Sequence, residues 1–197
     1  MPVRASDAFT NADGTLLTNH SSNWSTQSGT TRQGVIYSNG VGVNGADDGD
    51  RGNRYNGVQP NDDQFSTVTF IVLPAQDGSA HCRESSAAET YYAGGMDPND
   101  FGGGAASRIW KLVSGVKTSL GTGSTLVAGD RVRLEVVGSA LTLFINGARN
   151  FGVSDTAILS GQGGLGVQHG TIEVRVLDDW EVGDFGVPQR TLLGVGT

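Results

Sequence analysis

The sequence predicts an all-β fold, two antiparallel sheets packed face to face as a sandwich, and three observations carry that expectation. The stretch 131–155, "RVRLEVVGSALTLFINGARNFGVSD", alternates apolar and polar residues with the period of a half-buried strand. The chain holds 31 glycines among 197 residues, scattered between short apolar runs with no collagen-like period, as turn residues of an all-β protein would be. No convincing amphipathic helix is present; "SDTAILSG" is too short for more than one turn.

Within 131–155, Val132, Leu134 and Val136 share one face of a strand and Arg131, Arg133 and Glu135 the other. After the turn "VGSA", Leu141, Leu143 and Ile145 share a face of the next strand. Asn146-Gly147 follows, the pair that a two-residue turn with positive φ prefers, and "ARNFGV" returns as a third strand. This meander is scaffold. Upstream, "QFSTVTFIVL" is apolar on both faces toward its end, as a central strand covered on two sides would be. "AHCRES", "TYYAGGM", "SRIWKLV" and "VKTSLG" are shorter strands separated by Gly, Asp, Asn or Pro, and "GGLGVQ" and "TIEVRVLDDWEV" close the series. The mix of long central strands with weak, Gly-broken edges favours a sandwich over a closed barrel.

Two regions break the pattern. Residues 38–63 are polar and Gly-rich, with little β-branched content after Val43, and read as a long surface excursion. Residues 183–197 carry Pro188, Leu192, Leu193 and Val195 and read as a C-terminal arm docking on its own domain or on a neighbour, beyond a sandwich spanning 1–182.

Charge narrows the function classes. A net charge of −7 argues against nucleic acid, which needs clustered Lys and Arg, and against anionic membrane surfaces. No apolar run is long enough to span a bilayer. The start, "MPVRASDAFTN", has no apolar stretch between a basic end and a cleavage site, so no secretory signal is expected. Cys82, the sole cysteine, permits no intrachain disulfide and reads as a small hydrophobe. His20, His81 and His169 are dispersed and lack metal-ligand spacing, and no phosphate-cradling Gly-Lys-Ser/Thr loop is present.

The order "DAFTNADGTL…NW", "YY", "WKLVSGVKTSLG", "AGDRVRLEVVGSALTLFINGARNFGVSDTAILSGQGGLGV" and "LDDWEV" resembles the concanavalin A-like, laminin-G-like jelly-roll domains over roughly 7–182. That family includes lectins, enzymes and structural modules, so the resemblance implies the fold more than an activity. It also implies that the first and last strands lie together, "DAF" beside "DDWEV".

The resemblance raises three candidate sites. The fold houses glucanases whose active strand carries Glu-x-Asp-x-x-Glu, with two carboxylates about 5 Å apart in the retaining mechanism. In "VLDDWE", Asp178 and Glu181 have the matching mutual spacing, but Val176 stands where the first Glu would. A closing strand whose acids bond neighbouring loops is the expectation, and the chain is not expected to be an enzyme. "VQH" at 167–169 is similar to one motif of the alginate-lyase branch, whose Tyr-containing companion is not intact in "TYYAGGM".

Glycan binding without chemistry is the second candidate: His81, Arg83, Tyr91, Tyr92 and Trp110 come from three strands that could be neighbours, with His81 and Arg83 on one face by their spacing of two. Trp24 and Trp180 are expected in the core. The third is a structural calcium ion on "ADDGDRGN", through Asp47, Asp48, Asp50 and Asn53, although Gly52 occupies a place where the EF-hand order needs a ligand. No other cofactor is expected.

The expected function is a non-catalytic surface module, foremost a bacteriophage virion protein such as a capsid decoration, head-fibre or tail accessory, made in the host cytoplasm. Its partners would be capsid or tail subunits or further copies of itself, with cell-surface glycans as ligands. A carbohydrate-active enzyme or lectin is the alternative, and an adhesion module excised from a longer cell-surface protein the third reading.

Overall fold

The computed structural model describes residues 2–28, 32–43, 51–74, 76–169 and 174–185. In chain order the first elements are β1 (Val3–Asp7), α1 (Leu17–His20), β2 (Trp24–Thr26), β3 (Val35–Ile36), β4 (Val41–Gly42), β5 (Arg51–Tyr55), β6 (Gln64–Phe70) and β7 (Asp77–Glu84). There follow β8 (Tyr91–Met96), α2 (Pro98–Phe101), β9 (Ala106–Val113), β10 (Val116–Thr125), β11 (Arg131–Val137) and β12 (Ala140–Ile145). The last are β13 (Ala148–Ser154), β14 (Gln162–Gln168) and β15 (Leu177–Asp184).

Two antiparallel sheets form the sandwich. The eight-stranded sheet runs β13-β12-β11-β6-β15-β4-β3, with β1 also on β15; the seven-stranded sheet runs β10-β9-β8-β7-β14-β5-β2. The meander expected over 131–155 is β11-β12-β13, with Val132, Leu134, Val136, Leu141 and Leu143 fully buried. Asn146 and Gly147 both take positive φ at its turn, 51° and 82°. β6 is central, flanked by β11 and β15. The first and last strands pair, Ser6 opposite Glu181 and Asp7 opposite Trp180.

The core lies between the sheets. Trp24 and Trp180 belong to it, with ring centroids 4.7 Å apart, and Tyr55 completes an aromatic trio. Trp180 Nε1 donates to Ser66 Oγ and to the Gly164 carbonyl, 3.1 and 3.0 Å, and so ties the two sheets together inside an apolar layer. Cys82 is fully buried against Leu134, and burial pushes its thiol far above the usual range, as suits a packing residue.

Residues 38–63 are not a plain surface excursion. They supply β4 and β5, and β5 lies inside the seven-stranded sheet between β14 and β2. The apolar signal is weak because the fully buried inward residue is Asn53, with Tyr55 the partly buried inward neighbour on the same face. Its Oδ1 accepts from the Gly34 amide at 2.7 Å and its Nδ2 donates to the Ser25 carbonyl at 3.2 Å. Polar bonding between strand neighbours replaces apolar packing there, and Asn53 is unavailable as a calcium ligand. Asp47, Asp48 and Asp50 lie outside the described residues. β15 continues through Asp184, which is bonded to Arg4 at 3.0 Å, and the arm from 186 onward lies outside the described residues.

Candidate functional site

Strand alternation divides β7 into an inner set, Ala80 and Cys82, and an outer set, Asp77, Ser79 and His81. Register places His81 beside Ala93 of β8, and Ala93 beside Trp110 of β9. His81, Tyr91 and Trp110 therefore share the outer face of the seven-stranded sheet, where Tyr91, Ala93, Trp110 and Leu112 form an apolar cluster separate from the core. The His81 and Tyr91 rings stack with centroids 4.0 Å apart. All three are buried, at 1%, 1% and 0% exposure, so they make a floor rather than an open platform.

The other two expected glycan residues point elsewhere. Tyr92 faces the core; its hydroxyl donates to Asp155 Oδ1 at 2.7 Å and accepts from the Ile158 amide at 3.0 Å. Arg83 does not share a face with His81, because β7 carries an extra residue relative to β14 at this point and Arg83 takes φ +52°. Its guanidinium instead donates to the carbonyls of Asp62 and Ile158, 2.8 and 2.9 Å, stapling two loops. The bulge returns Glu84 to the side of His81.

A chain of polar side chains follows along that side. Ser79 Oγ donates to Asp77 Oδ1 at 3.1 Å, Ser79 Oγ and His81 Nε2 are 3.0 Å apart, and His81 Nδ1 lies 3.0 Å from Glu84 Oε2. The sequence of groups is that of a nucleophile, base and acid, but its chemistry differs. The serine proton is directed to a carboxylate, and Ser79 is fully buried. The chain orients His81 and Glu84. Glycines on β14 make room for it: a Cβ on Gly166 would stand 2.6 Å from His81 Nε2, and one on Gly164 would stand 2.4 Å from Glu84 Oε2.

At the far edge of the floor, Lys117 of β10 bonds Asp97 and Asp100 at 2.5 and 2.6 Å and lies over the Trp110 ring at 5.7 Å. Asp97 also caps α2 by accepting from the Asp100 amide. Burial raises the Asp97 pKa above the ordinary carboxylate value, against the opposing pull of Lys117.

At the opposite edge, the floor ends in an open polar cleft of about 310 Å³ lined by Asn56, Gln59, Glu84, Ser86, Ser160 and Gln162. Glu84 is its buried member: Oε2 is bonded to His81, and Oε1 has no hydrogen-bond partner. Sequence reasoning missed all six: five are Ser, Asn or Gln, which carry no motif, and Glu84 was hidden by the added residue in β7. The glycines of "GQGGLGV" were the available signal, as a close approach of side chains over β14 requires them.

The closing-strand acids do not converge. Asp178 pairs with Arg175, Glu181 pairs with Arg131 at 2.5 Å, and a register shift separates the two on β15. Arg131 and Glu181 lie on the outer face of the other sheet, with Thr67, Arg133 and Phe144 around a second cleft of about 390 Å³. Among the described residues, no group of three or more His, Cys, Asp or Glu is placed to hold a metal ion.

No protein-family model matches the chain, and no curated protein matches it. Solved structures do. The carbohydrate binding module CBM66 from Bacillus subtilis superposes with a TM-score of 0.54 at 14% identity, over 82% of this chain and 92% of that one. The apo Crh5 transglycosylase gives 0.53 at 11% identity over 92% and 84%, and its complex with NAG gives 0.52 at 9% over the same shares. The protein thus shares the two-sheet jelly-roll sandwich fold of these structures.

Proposed function

We propose that the protein is a non-catalytic glycan-binding sandwich that works through its surface. The observation that carries the reading is the open polar cleft at the end of the aromatic floor, lined by the side chains of Asn56, Gln59, Ser86, Ser160 and Gln162. Such a cleft offers several fixed hydrogen-bonding groups, as saccharide recognition requires. The carbohydrate binding activity named for CBM66 supports the reading by analogy of fold. Against catalysis stand the ion pairs that occupy Asp178 and Glu181 and the serine proton committed to Asp77.

The test is a polysaccharide and oligosaccharide panel scored for both binding and product. Saturable binding without turnover is expected. Reducing-end release or an unsaturated product would overturn the non-catalytic reading, and absence of binding to any glycan would overturn the reading as a whole.

The finer setting we propose is a bacteriophage particle, with the module on the virion surface as a capsid or tail accessory. It rests on the apolar composition of 183–197, which suits docking on a neighbour. Immunogold imaging of particles tests it: label on virions is expected, and unlabelled virions would contradict it.

A further inference from the structure

We propose that the polar cleft takes an uncharged saccharide, held by hydrogen bonds to the Ser86 and Ser160 hydroxyls and the Gln162 amide. The inference rests on the glycan-binding reading and names the ligand class and the side chains that grip it.

Topology brings three walls together. β5, β14 and β7 are neighbours in the seven-stranded sheet and antiparallel in turn, so β5 and β7 end where β14 begins. Asn56 and Gln59 follow β5, Ser86 follows β7, Ser160 precedes β14 and Gln162 opens it.

Hydrogen bonds tie these walls to one another before a ligand arrives. Arg54 donates to Asn56 Oδ1 and to the Ser85 carbonyl, 2.8 and 2.9 Å, joining the first wall to the second. Gln59 and Gln64 both donate to the Gly161 carbonyl, 3.1 and 3.0 Å, and Arg83 donates to the Ile158 carbonyl at 2.9 Å, so the third wall is held as well. A cleft fixed in this way avoids much of the ordering cost that binding imposes on loose loops.

The same bonds decide what is left for a ligand. Asn56 gives its Oδ1 to Arg54 and its Nδ2 to Ser25 Oγ. The lining contains no Lys or Arg, and the buried Arg54 and Arg83 direct their guanidinium groups at backbone carbonyls. Glu84, the one acid of the lining, is fully buried and bonded to His81. Ser86 and Ser160 are exposed and Gln162 is half-buried, and none of these three side chains is hydrogen-bonded to another described residue.

The groups on offer are therefore neutral. An acidic sugar would find no cation in this lining, and a calcium ion would find no exposed carboxylate. Sugar hydroxyls both donate and accept, as do two serine hydroxyls and an amide. A volume of about 310 Å³ lies at the small end of the ~300–1,000 Å³ range for ligand sites, which suits a short oligosaccharide.

Isothermal titration of the intact chain with maltotriose, cellotriose, laminaritriose, mannotriose and xylotriose tests this, with sialyllactose, trigalacturonic acid and calcium chloride as charged comparisons. The expected result is saturable binding of an uncharged sugar, weakened about two- to tenfold by each of Ser86→Ala, Ser160→Ala and Gln162→Ala, the range for one lost neutral hydrogen bond. Arg131→Ala on the opposite sheet should leave it unchanged. Should one cleft variant fail to fold, the other two decide. Glycan binding that the cleft variants leave unchanged, or that Arg131→Ala weakens instead, overturns this inference while leaving glycan binding intact. Tighter binding of either acidic sugar, or calcium binding lost in the same cleft variants, overturns it as well. Failure of every glycan removes the functional reading beneath it.

Discussion

Tyr91 lies flat against His81, with ring planes 13° apart and centroids at 4.0 Å, and this contact fixes the residue that holds Glu84. The stack links the aromatic floor of the seven-stranded sheet to the polar cleft at its edge. Because Tyr91 is 1% exposed, truncating it opens a cavity as well as freeing the imidazole. Tyr91→Ala is expected to lower stability by about 3–5 kcal/mol in urea unfolding.

The Lys117–Asp97 pair gives a pH-dependent expectation. Burial raises the Asp97 pKa, and Lys117 opposes that rise. A carboxyl whose folded pKa is raised favours folding at low pH and loses that contribution as pH climbs through the folded value. Lys117→Met removes the opposing cation and leaves the buried Asp97 carboxyl without it. The loss is expected to reach about 3 kcal/mol at pH 7 and to shrink toward pH 4, read from denaturation midpoints at both values.

Tyr92 governs the alkaline limb. Burial, with Asp155 beside it, pushes its phenol up to about 12 from an ordinary value of 10.0. Its folded pKa is raised, so stability is intact below about pH 10 and declines as pH rises from 10 toward 12. Tyr92→Phe should flatten that limb in a thermal melt series. At pH 7 it should cost about 1–2 kcal/mol, because Asp155 and the Ile158 amide each lose a partner.

Asp155 sets the acid limb of the same cluster. Burial works to raise its pKa, but hydrogen bonds from Lys111, Tyr92 and the Ala157 amide outweigh burial and hold the carboxyl below the ordinary value. Its stabilising contribution is present above the unfolded pKa and is lost as pH falls through the folded one. Asp155→Asn should therefore cost stability at pH 7 and make the protein less sensitive to acid, measured as unfolding midpoint against pH from 7 to 2.

The sheets were legible in the sequence because apolar alternation and Asn-Gly turns report burial directly, as in β11-β12-β13. β5 was illegible for the opposite reason: Asn53, its fully buried inward residue beside Tyr55, satisfies backbone groups instead of filling apolar space. The candidate site was half legible. Period-two spacing put His81 and Arg83 on one face, whereas an added residue and a positive φ turn Arg83 away and give the place beside His81 to Glu84. Such a bulge leaves no mark in composition. The cleft itself is assembled from Asn, Gln and Ser of separate loops and of the start of β14, types that sequence reading counts as solvated surface.

Gly164 offers a check on the local geometry of the cleft. A methyl group there would stand 2.4 Å from both the Asn53 carbonyl and Glu84 Oε2, and the first of these is backbone. Gly164→Ala is expected to cost about 1–3 kcal/mol in unfolding.

The most direct measurement is an amide chemical-shift titration of the 197-residue chain with the oligosaccharides of the panel. The account predicts shifts concentrated at residues 84–86 and 160–162, saturating with added sugar. Shifts gathered instead around Arg131, Arg133 and Glu181 on the opposite sheet, or no shift with any of the sugars, would contradict it.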